Sequence, residues 1–352
     1  MPRQSLAPSP SVVDLGILVA VLAEAVTGLW SLTASPDDGW LFVVHGVVGL
    51  ALVVLLGLKF WRVWQRVTGK MTRTIAVSVL LSVLAVAALV TGVAWTLGGT
   101  SPVPGLTLLV LHGYLGALLL PVLLVHLLAR FRLPDRETVT ERRNALQMGG
   151  LLVGGAAVWR LQQGIANDLV PSRRFTGSRE EGTGEGNAFP VTSWVADDPD
   201  PIPVDDWRLA VRGAVDTPRE FQYSDLPEPG DSTGDETRAL LDCTSGWYSE
   251  HDWQGVRVGD LLDAAGTDPD AGWVRFRSVT GYRWSLPREE ARDAVLATHV
   301  DGERLSHGHG FPVRLVAPGR RGFQWVKWVE AVEVRYKNDP AQWLATLVSG
   351  FD

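Results

Sequence analysis

A single cysteine among 352 residues excludes a disulfide scaffold. No Asp, Glu, Lys or Arg falls between Arg73 and Arg130, which excludes a purely soluble protein. The second half is short of positive charge: residues 168–352 carry 20 Lys+Arg against 32 Asp+Glu, the wrong sign for general nucleic-acid binding. No G-x-G-x-x-G opens a helix after a strand, so nicotinamide binding has no support. No Cys or His spacing around the lone cysteine completes a tetrahedral zinc set. Hydrophobic residues are not scarce: at 46% they exclude a disordered chain. The length suggests about two domains, and the charge divides the same way. Residues 1–167 carry 12 Lys+Arg against 7 Asp+Glu, a net of +5, whereas the rest is at −12.

A bilayer core of ~30 Å takes about 20 apolar residues per helical span. Four stretches reach that length, at about 12–33, 40–61, 74–97 and 105–129. A fifth, about Met148–Trp159, is shorter and rich in Gly and Ala, and is expected to be an uncleaved anchor helix. Lys59, Arg62, Arg66, Lys70 and Arg73 lie around the loop after the second span, and Arg130, Arg132, Arg136, Arg142 and Arg143 follow the fourth. The loops around Ser35–Gly39 and Gly98–Gly105 hold neither Lys nor Arg. The positive-inside rule therefore puts the N-terminus and the 130–143 segment in the cytoplasm. A spanning fifth helix would carry everything after about residue 168 outside. Arg142–Arg143 ahead of a mildly apolar segment resemble a Tat export signal, although the positive-inside rule alone also accounts for them. The expected location is the cell membrane, multi-pass, with the second half extracytoplasmic.

Three histidines, His45, His112 and His126, fall within spans, where imidazole is costly and functional by default. A His bonded to a neighbouring helix is the plain alternative. His45-Gly46-Val47-Val48-Gly49 and His112-Gly113-Tyr114-Leu115-Gly116 repeat one H-G-x-x-G pattern on the second and fourth spans. Both spans run from outside to inside, so the two imidazoles share a depth, with small residues that let a flat macrocycle approach. Facing neutral imidazoles in a bundle are a bis-His haem b site. Fourteen residues further in, nearly four turns, span four has His126 and span two has Lys59. The spacing resembles four-helix di-haem cytochromes b, but a Lys near the cytoplasmic end tends to snorkel. One outer haem is expected, with His126 a candidate for a second haem or for quinone binding.

Beyond a polar, Gly-rich link at Arg173–Asn187, short alternating segments (Trp207–Val211, Val274–Ser278, Pro312–Val316, Glu330–Tyr336) read as strands. Helical pattern is confined mainly to Val258–Ala265 and Arg288–Ala297, so the domain reads as β-rich α+β. The cysteine stands in Leu241-Asp-Cys243-Thr-Ser-Gly-Trp-Tyr248, among small turn-forming residues. A buried apolar Cys is the default. A loop thiolate instead suits a nucleophile or a soft metal whose other ligands come from a cofactor. A cysteine hydrolase with His309 or His251 as base would leave the haem histidines unexplained.

Leu296-Ala-Thr-His-Val-Asp-Gly-Glu-Arg-Leu305, then His309-Gly-Phe-Pro-Val-Arg314-Leu-Val-Ala-Pro-Gly319, then Gly322-Phe-Gln-Trp-Val-Lys327-Trp328 are far more specific than the cysteine. With them, residues ~170–345 resemble the sulfite-oxidase-type molybdopterin-binding fold, shared by sulfite oxidases, plant nitrate reductases and periplasmic methionine sulfoxide reductases. The resemblance implies that Cys243 gives its thiolate to molybdenum. It implies that His309, Arg314 and Trp325-Val326-Lys327 hold the pterin and its phosphate, for which cationic side chains and N–H groups are suited. Phe189-Pro-Val-Thr192-Ser193 falls where the family has another pterin-contacting loop. The departures are informative. Sulfite oxidases carry two arginines four and five residues after the cysteine, where this chain has Trp247 and Tyr248. Their W-x-R-R-D-Y-K-G-F segment is matched by Trp343-Leu-Ala-Thr-Leu-Val-Ser-Gly350-Phe351, without the arginines or the tyrosine.

The expected architecture is a membrane all-α bundle, four spans plus a fifth anchor helix, followed by a β-rich α+β molybdopterin-binding domain. Its divisions are a cytochrome b-like domain at 1–133, a cytoplasmic segment, anchor and linker at 134–188, and the oxidoreductase domain at 189–352. The expected function is electron transfer between a membrane quinone, haem b and molybdenum, with an S- or N-oxide as the reduced substrate. Substrate oxidation feeding quinone is the alternative, as is a non-catalytic haem carrier with a pterin-like docking domain.

Overall fold

The computed structural model describes residues 8–67, 72–130, 142–193, 197–231 and 234–349. Lys70, Arg132, Arg136, Gly350 and Phe351, used in the sequence reading, lie outside them. The chain divides into two compact units, Met1–Arg179 and Glu180–Asp352.

The first unit is helical: α1 (Pro10–Ser31), α2 (Gly39–Val67), α3 (Arg73–Thr96), α4 (Leu108–Arg130) and α5 (Arg142–Leu169). Among the described residues α1 to α4 are long and apolar enough to cross a membrane. Side-chain caps start three of them, Ser9 Oγ accepting from Val12 N, Thr72 Oγ1 from Ile75 N and Thr107 Oγ1 from Val110 N. Ala20, Val21, Leu52, Leu56, Leu84, Ala85, Leu119 and Leu123 form the inner packing. Large apolar side chains such as Val19, Val26, Leu29, Val83 and Leu128 point outward, the inverse of a water-soluble bundle. Trp30 and Trp40, rings 5.5 Å apart, stand about half exposed at one end, and Trp61 and Trp64 are exposed at the other. Trp40 to Trp61 along α2 is about 32 Å at 1.5 Å per residue, close to a hydrocarbon core.

α5 extends well past the Met148–Trp159 stretch in both directions. Its Met148 lies against Gly16, its Gly155 against the Val47 carbonyl and Ala51, and its Trp159 on Gly46. It therefore runs alongside α2 through the depth of the bundle, and Gly155 permits the close approach. Arg142 and Arg143 open this helix, where positive charge opposes the macrodipole. Their placement is not explained by helix stability. After α5, Arg179 stacks on the Trp95 ring and donates to the Trp95 and Gly99 carbonyls, while Trp95 Nε1 donates to Gly177 O.

The second unit holds two sheets. Its strands are β1 (Leu209–Gly213), β2 (Arg219–Phe221), β3 (Asp235–Asp242), β4 (Trp247–Arg257), β5 (Trp273–Ser278), β6 (Arg283–Pro287), β7 (Val295–Val300), β8 (Glu303–Arg304), β9 (Arg314–Val316) and β10 (Val329–Arg335). One sheet runs β3–β4–β7–β9, antiparallel throughout, with β8 paired to β7. The other runs β2–β1–β10–β5–β6, with β10 parallel to β1. Helices α6 (Val258–Ala265), α7 (Arg288–Asp293) and α8 (Gln342–Val348) complete it. Alternation along β4 sends Trp247, Ser249, His251 and Trp253 inward, and leaves Glu250 and Asp252 outside to pair with Arg238.

One element differs from expectation. The helix read over Arg288–Ala297 stops at Asp293, and Val295–Val300 is a strand buried at every position. A continuous apolar run buried on both faces has no period to separate strand from helix. The Gly-rich link is also ordered from Glu181 on: Glu181 N and Gly184 N bond to the Tyr248 and Glu250 carbonyls, and Gly186 N to Asp301 Oδ2.

Candidate functional site

Cys243 follows the last residue of β3, and its N–H donates to the Trp247 carbonyl at 2.9 Å, closing the turn into β4. The thiol is buried, 3.1 Å from Ser245 Oγ. Behind it lies the Arg321–Gly322 turn. A Cβ on Gly322 would sit 3.1 Å from Cys243 Cα, so a glycine lets the two loops close. Arg321 forms a buried ion pair with Asp242 at 3.0 Å and reaches the Cys243 carbonyl.

The opposite wall is built from His309, Arg314 and Lys327. His309 Nε2 is 2.9 Å from the Phe189 carbonyl, which can only accept, so Nε2 carries the proton and Nδ1 accepts from Ser306 Oγ at 2.7 Å. Burial takes His309 down to about 4, which keeps it neutral at pH 7. Arg314 is buried over the Trp253 and Trp325 rings, at 5.4 and 5.8 Å. It donates from Nη1 to His309 O, and its Nε has no hydrogen-bond partner. Lys327 Nζ donates to Gly308 O at 2.7 Å and Ser193 Oγ at 3.0 Å. Burial, then the Arg314 charge, takes this ammonium down to about 7, and burial takes Arg314 to about 10. Gly310, at φ +110°, threads the turn between them: a Cβ there would lie 3.1 Å from Arg314 Cβ and 3.2 Å from Lys327 Cβ. Trp328 holds a positive φ of 51°, anchored by its Nε1 on the His307 carbonyl at 2.9 Å.

A buried arginine and a half-buried lysine, neither in an ion pair with a carboxylate among the described residues, are costly unless an anion joins them. An arginine with a spare donor beside a lysine is the donor set of a phosphate site. Both cations also lie within electrostatic reach of the Cys243 sulfur. The residues therefore fit a phosphate-bearing cofactor whose metal takes the thiolate.

The remaining expected residues take defined places. Thr192 Oγ1 accepts from Trp247 Nε1 at 3.1 Å, and Ser193 accepts from Lys327, so both border the cleft. Trp325 backs Arg314 with its ring, and Val326 is fully buried with its carbonyl bonded to Leu315 N, so these two support the wall from behind. Trp247, where sulfite oxidases have arginine, is buried and 5.9 Å from the Phe189 ring, and Tyr248 falls on the other face of β4. The two candidate bases are spoken for. His251 bonds Asp301 at 2.6 Å and Ser249 at 2.8 Å, and His309 is held as above, so neither serves Cys243 as the base of a hydrolase. Asp197, unnoticed in the sequence, is buried against Thr280 Oγ1 and faces Lys327, and burial raises its carboxyl above the usual range.

In the first unit the His45 and His112 rings stand 5.8 Å apart at 83°. His112 Nδ1 is 2.8 Å from the Ala88 carbonyl, which fixes the proton there and presents Nε2 as the lone-pair nitrogen. His45 Nδ1 is 2.9 Å from Thr27 Oγ1, and its Nε2 is 3.1 Å from Glu24 Oε2. The two H-G-x-x-G motifs are not equivalent. Gly46 and Gly49 lie under Trp159 and Glu24, whereas Gly113 and Gly116 have open space above them. Further in, His126 Nδ1 is 3.3 Å from Ser78 Oγ, and Lys59 is ion-paired with Asp14. Glu24, Thr27 and the Ala88 carbonyl were not foreseen. The signal for Glu24 was present: it is the one ionisable residue of the first span after Asp14.

Residues 196–343 match the family described as the oxidoreductase molybdopterin binding domain. The uncharacterized oxidoreductase YuiH of Bacillus subtilis is 31% identical over 140 residues, 39% of this chain and 69% of that protein. The protein-methionine-sulfoxide reductase catalytic subunit MsrP of Gluconobacter oxydans is 28% identical over 180 residues, 46% of this chain and 55% of its own. Human mitochondrial sulfite oxidase is 32% identical over 123 residues, 32% of this chain and 23% of its length.

Proposed function

The chain belongs to the oxidoreductases with a molybdopterin-binding domain, the group that contains sulfite oxidase and MsrP, and from that premise we propose that it is a membrane-anchored molybdoenzyme wired to the quinone pool through haem b. Cys243 would supply the thiolate to molybdenum, and Arg314, Lys327 and neutral His309 would hold the pterin and its phosphate. When bound, the molybdenum cofactor supplies two-electron oxygen-atom chemistry. The protein's part is orientation. The Arg321–Asp242 pair and the Cys243–Trp247 hydrogen bond fix the cysteine backbone, while the aromatic rings behind Arg314 keep water from its guanidinium.

The wiring rests on one observation, the His45–His112 pair, two imidazoles 5.8 Å apart within four apolar helices. Paired imidazoles at this spacing are a donor set that would hold a haem, in which case His45 would give up its contact with Glu24. The inner level has Lys59 committed to Asp14 and His126 beside Ser78, which favours a single haem. The aromatic ends of the bundle and the course of α5 along α2 support a fifth span, and hence an extracytoplasmic second unit.

Quinol-driven reduction of an S- or N-oxide is the preferred reaction, because Trp247 and Tyr248 replace the arginines that would draw in sulfite. Reduced haem in membranes should reoxidise on adding sulfoxides or N-oxides. Haem reduction on adding sulfite would reverse the direction. Turnover-free protein that lacks molybdenum would reduce the second unit to a docking module.

A further inference from the structure

We propose that Glu24, beside His45, forms the docking site for the head group of a membrane quinol, in the outer half of the bundle. The inference rests on the quinone-linked reading above and assigns its site. A carboxyl within a span is costly and persists where it is used. Glu24 is not neutralised by a Lys or Arg among the described residues. Its Oε2 lies 3.1 Å from His45 Nε2, and its Oε1 is buried without a hydrogen-bond partner. That leaves an acceptor waiting for a donor. The pair is not sealed, since the Glu24 and His45 side chains remain 18% and 29% exposed on a helix surface that otherwise meets lipid. Gly49 lies directly under the carboxyl, where a Cβ would already touch Oε2 at 3.6 Å, so a larger side chain there would crowd Glu24. Thr27 holds the His45 ring by its other nitrogen.

A quinol answers each feature: a hydroxyl to donate to the Glu24 carboxyl, and an apolar ring and tail that stay in lipid. A lipid amine does not, because Glu24 lies seven residues before the end of α1, about 10 Å below the headgroup level. The inner level is a poorer host, its acid already ion-paired with Lys59.

The test uses the full-length protein and the fluorescent quinol analogue 2-heptyl-4-hydroxyquinoline N-oxide, whose emission is quenched on binding. Wild-type protein should show saturable quenching at about one site per chain. Glu24→Ala should weaken binding at least tenfold, and Glu24→Gln, which keeps an acceptor oxygen at the same reach, should weaken it less. Gly49→Leu, which leaves the carboxyl but fills the space, should also weaken it. An unchanged dithionite-reduced haem spectrum in each variant shows that the bundle is intact. Wild-type affinity in both Glu24→Ala and Gly49→Leu would overturn the assignment, as would loss of binding in His126→Ala with Glu24→Ala unaffected. Absence of saturable quenching in the wild type would remove the quinone reading itself.

Discussion

Burial beside Arg314 takes the Lys327 ammonium down to about 7, and a phosphate set against it favours the charged form again. Loading the cofactor above pH 7 should therefore take up a proton at Lys327. Its affinity should fall as pH rises through 7, by up to tenfold per unit. Binding titrated between pH 6 and 9 checks this, and Lys327→Arg, charged throughout, should flatten the profile. At Cys243 the expectation is categorical: Cys243→Ser removes the one thiolate, so turnover is lost while haem absorbance stays. Full turnover in a folded Ser variant would sink the assignment. The run from His309 to Lys327 was legible because its parts are close in sequence and rare in combination. Glu24 against His45, or Arg321 against Cys243, was not legible, since each contact joins elements whose packing no single segment encodes.

Although α5 runs well past its apolar stretch on both sides, the four apolar helices were readable nearly to their ends because hydropathy marks them directly. The Val295–Val300 strand was not, because burial on both faces erased its alternation. The two H-G-x-x-G motifs show a subtler failure. Their sequence symmetry suggested equal glycine faces, but α5 covers only the one on α2, through Trp159. If both histidines hold a haem as proposed, His45→Ala or His112→Ala should each abolish the low-spin haem signal. Pyridine haemochromogen assay should return about one haem per chain, with His126→Ala leaving it largely intact. A stoichiometry of two that falls to one without His126 would show a filled inner site.

For the whole molecule the open quantity is sidedness. In a Cys243→Ser background, a cysteine at Glu180 should react with an impermeant maleimide from outside, and one at Lys70 only after the membrane is opened. The reverse labelling would mean that α5 does not cross. Arg142 and Arg143 gain nothing from opening a helix, so a recognition role is testable: Lys–Lys there should trap the second unit inside if twin arginines are read. Undisturbed export would leave them as topology charges.

The buried charge of Arg314 has a consequence for protein turnover. A domain without its cofactor holds the buried Arg314 cation without a carboxylate ion pair among the described residues, so its unfolded fraction is larger than that of the loaded form, which gains stability by mass action. Cellular proteases sample that fraction. The amount of full-length chain in a cell should then track molybdate supply, falling on molybdate starvation with transcript unchanged. A variant with Arg314→Met, lacking that charge, should lose much of that dependence.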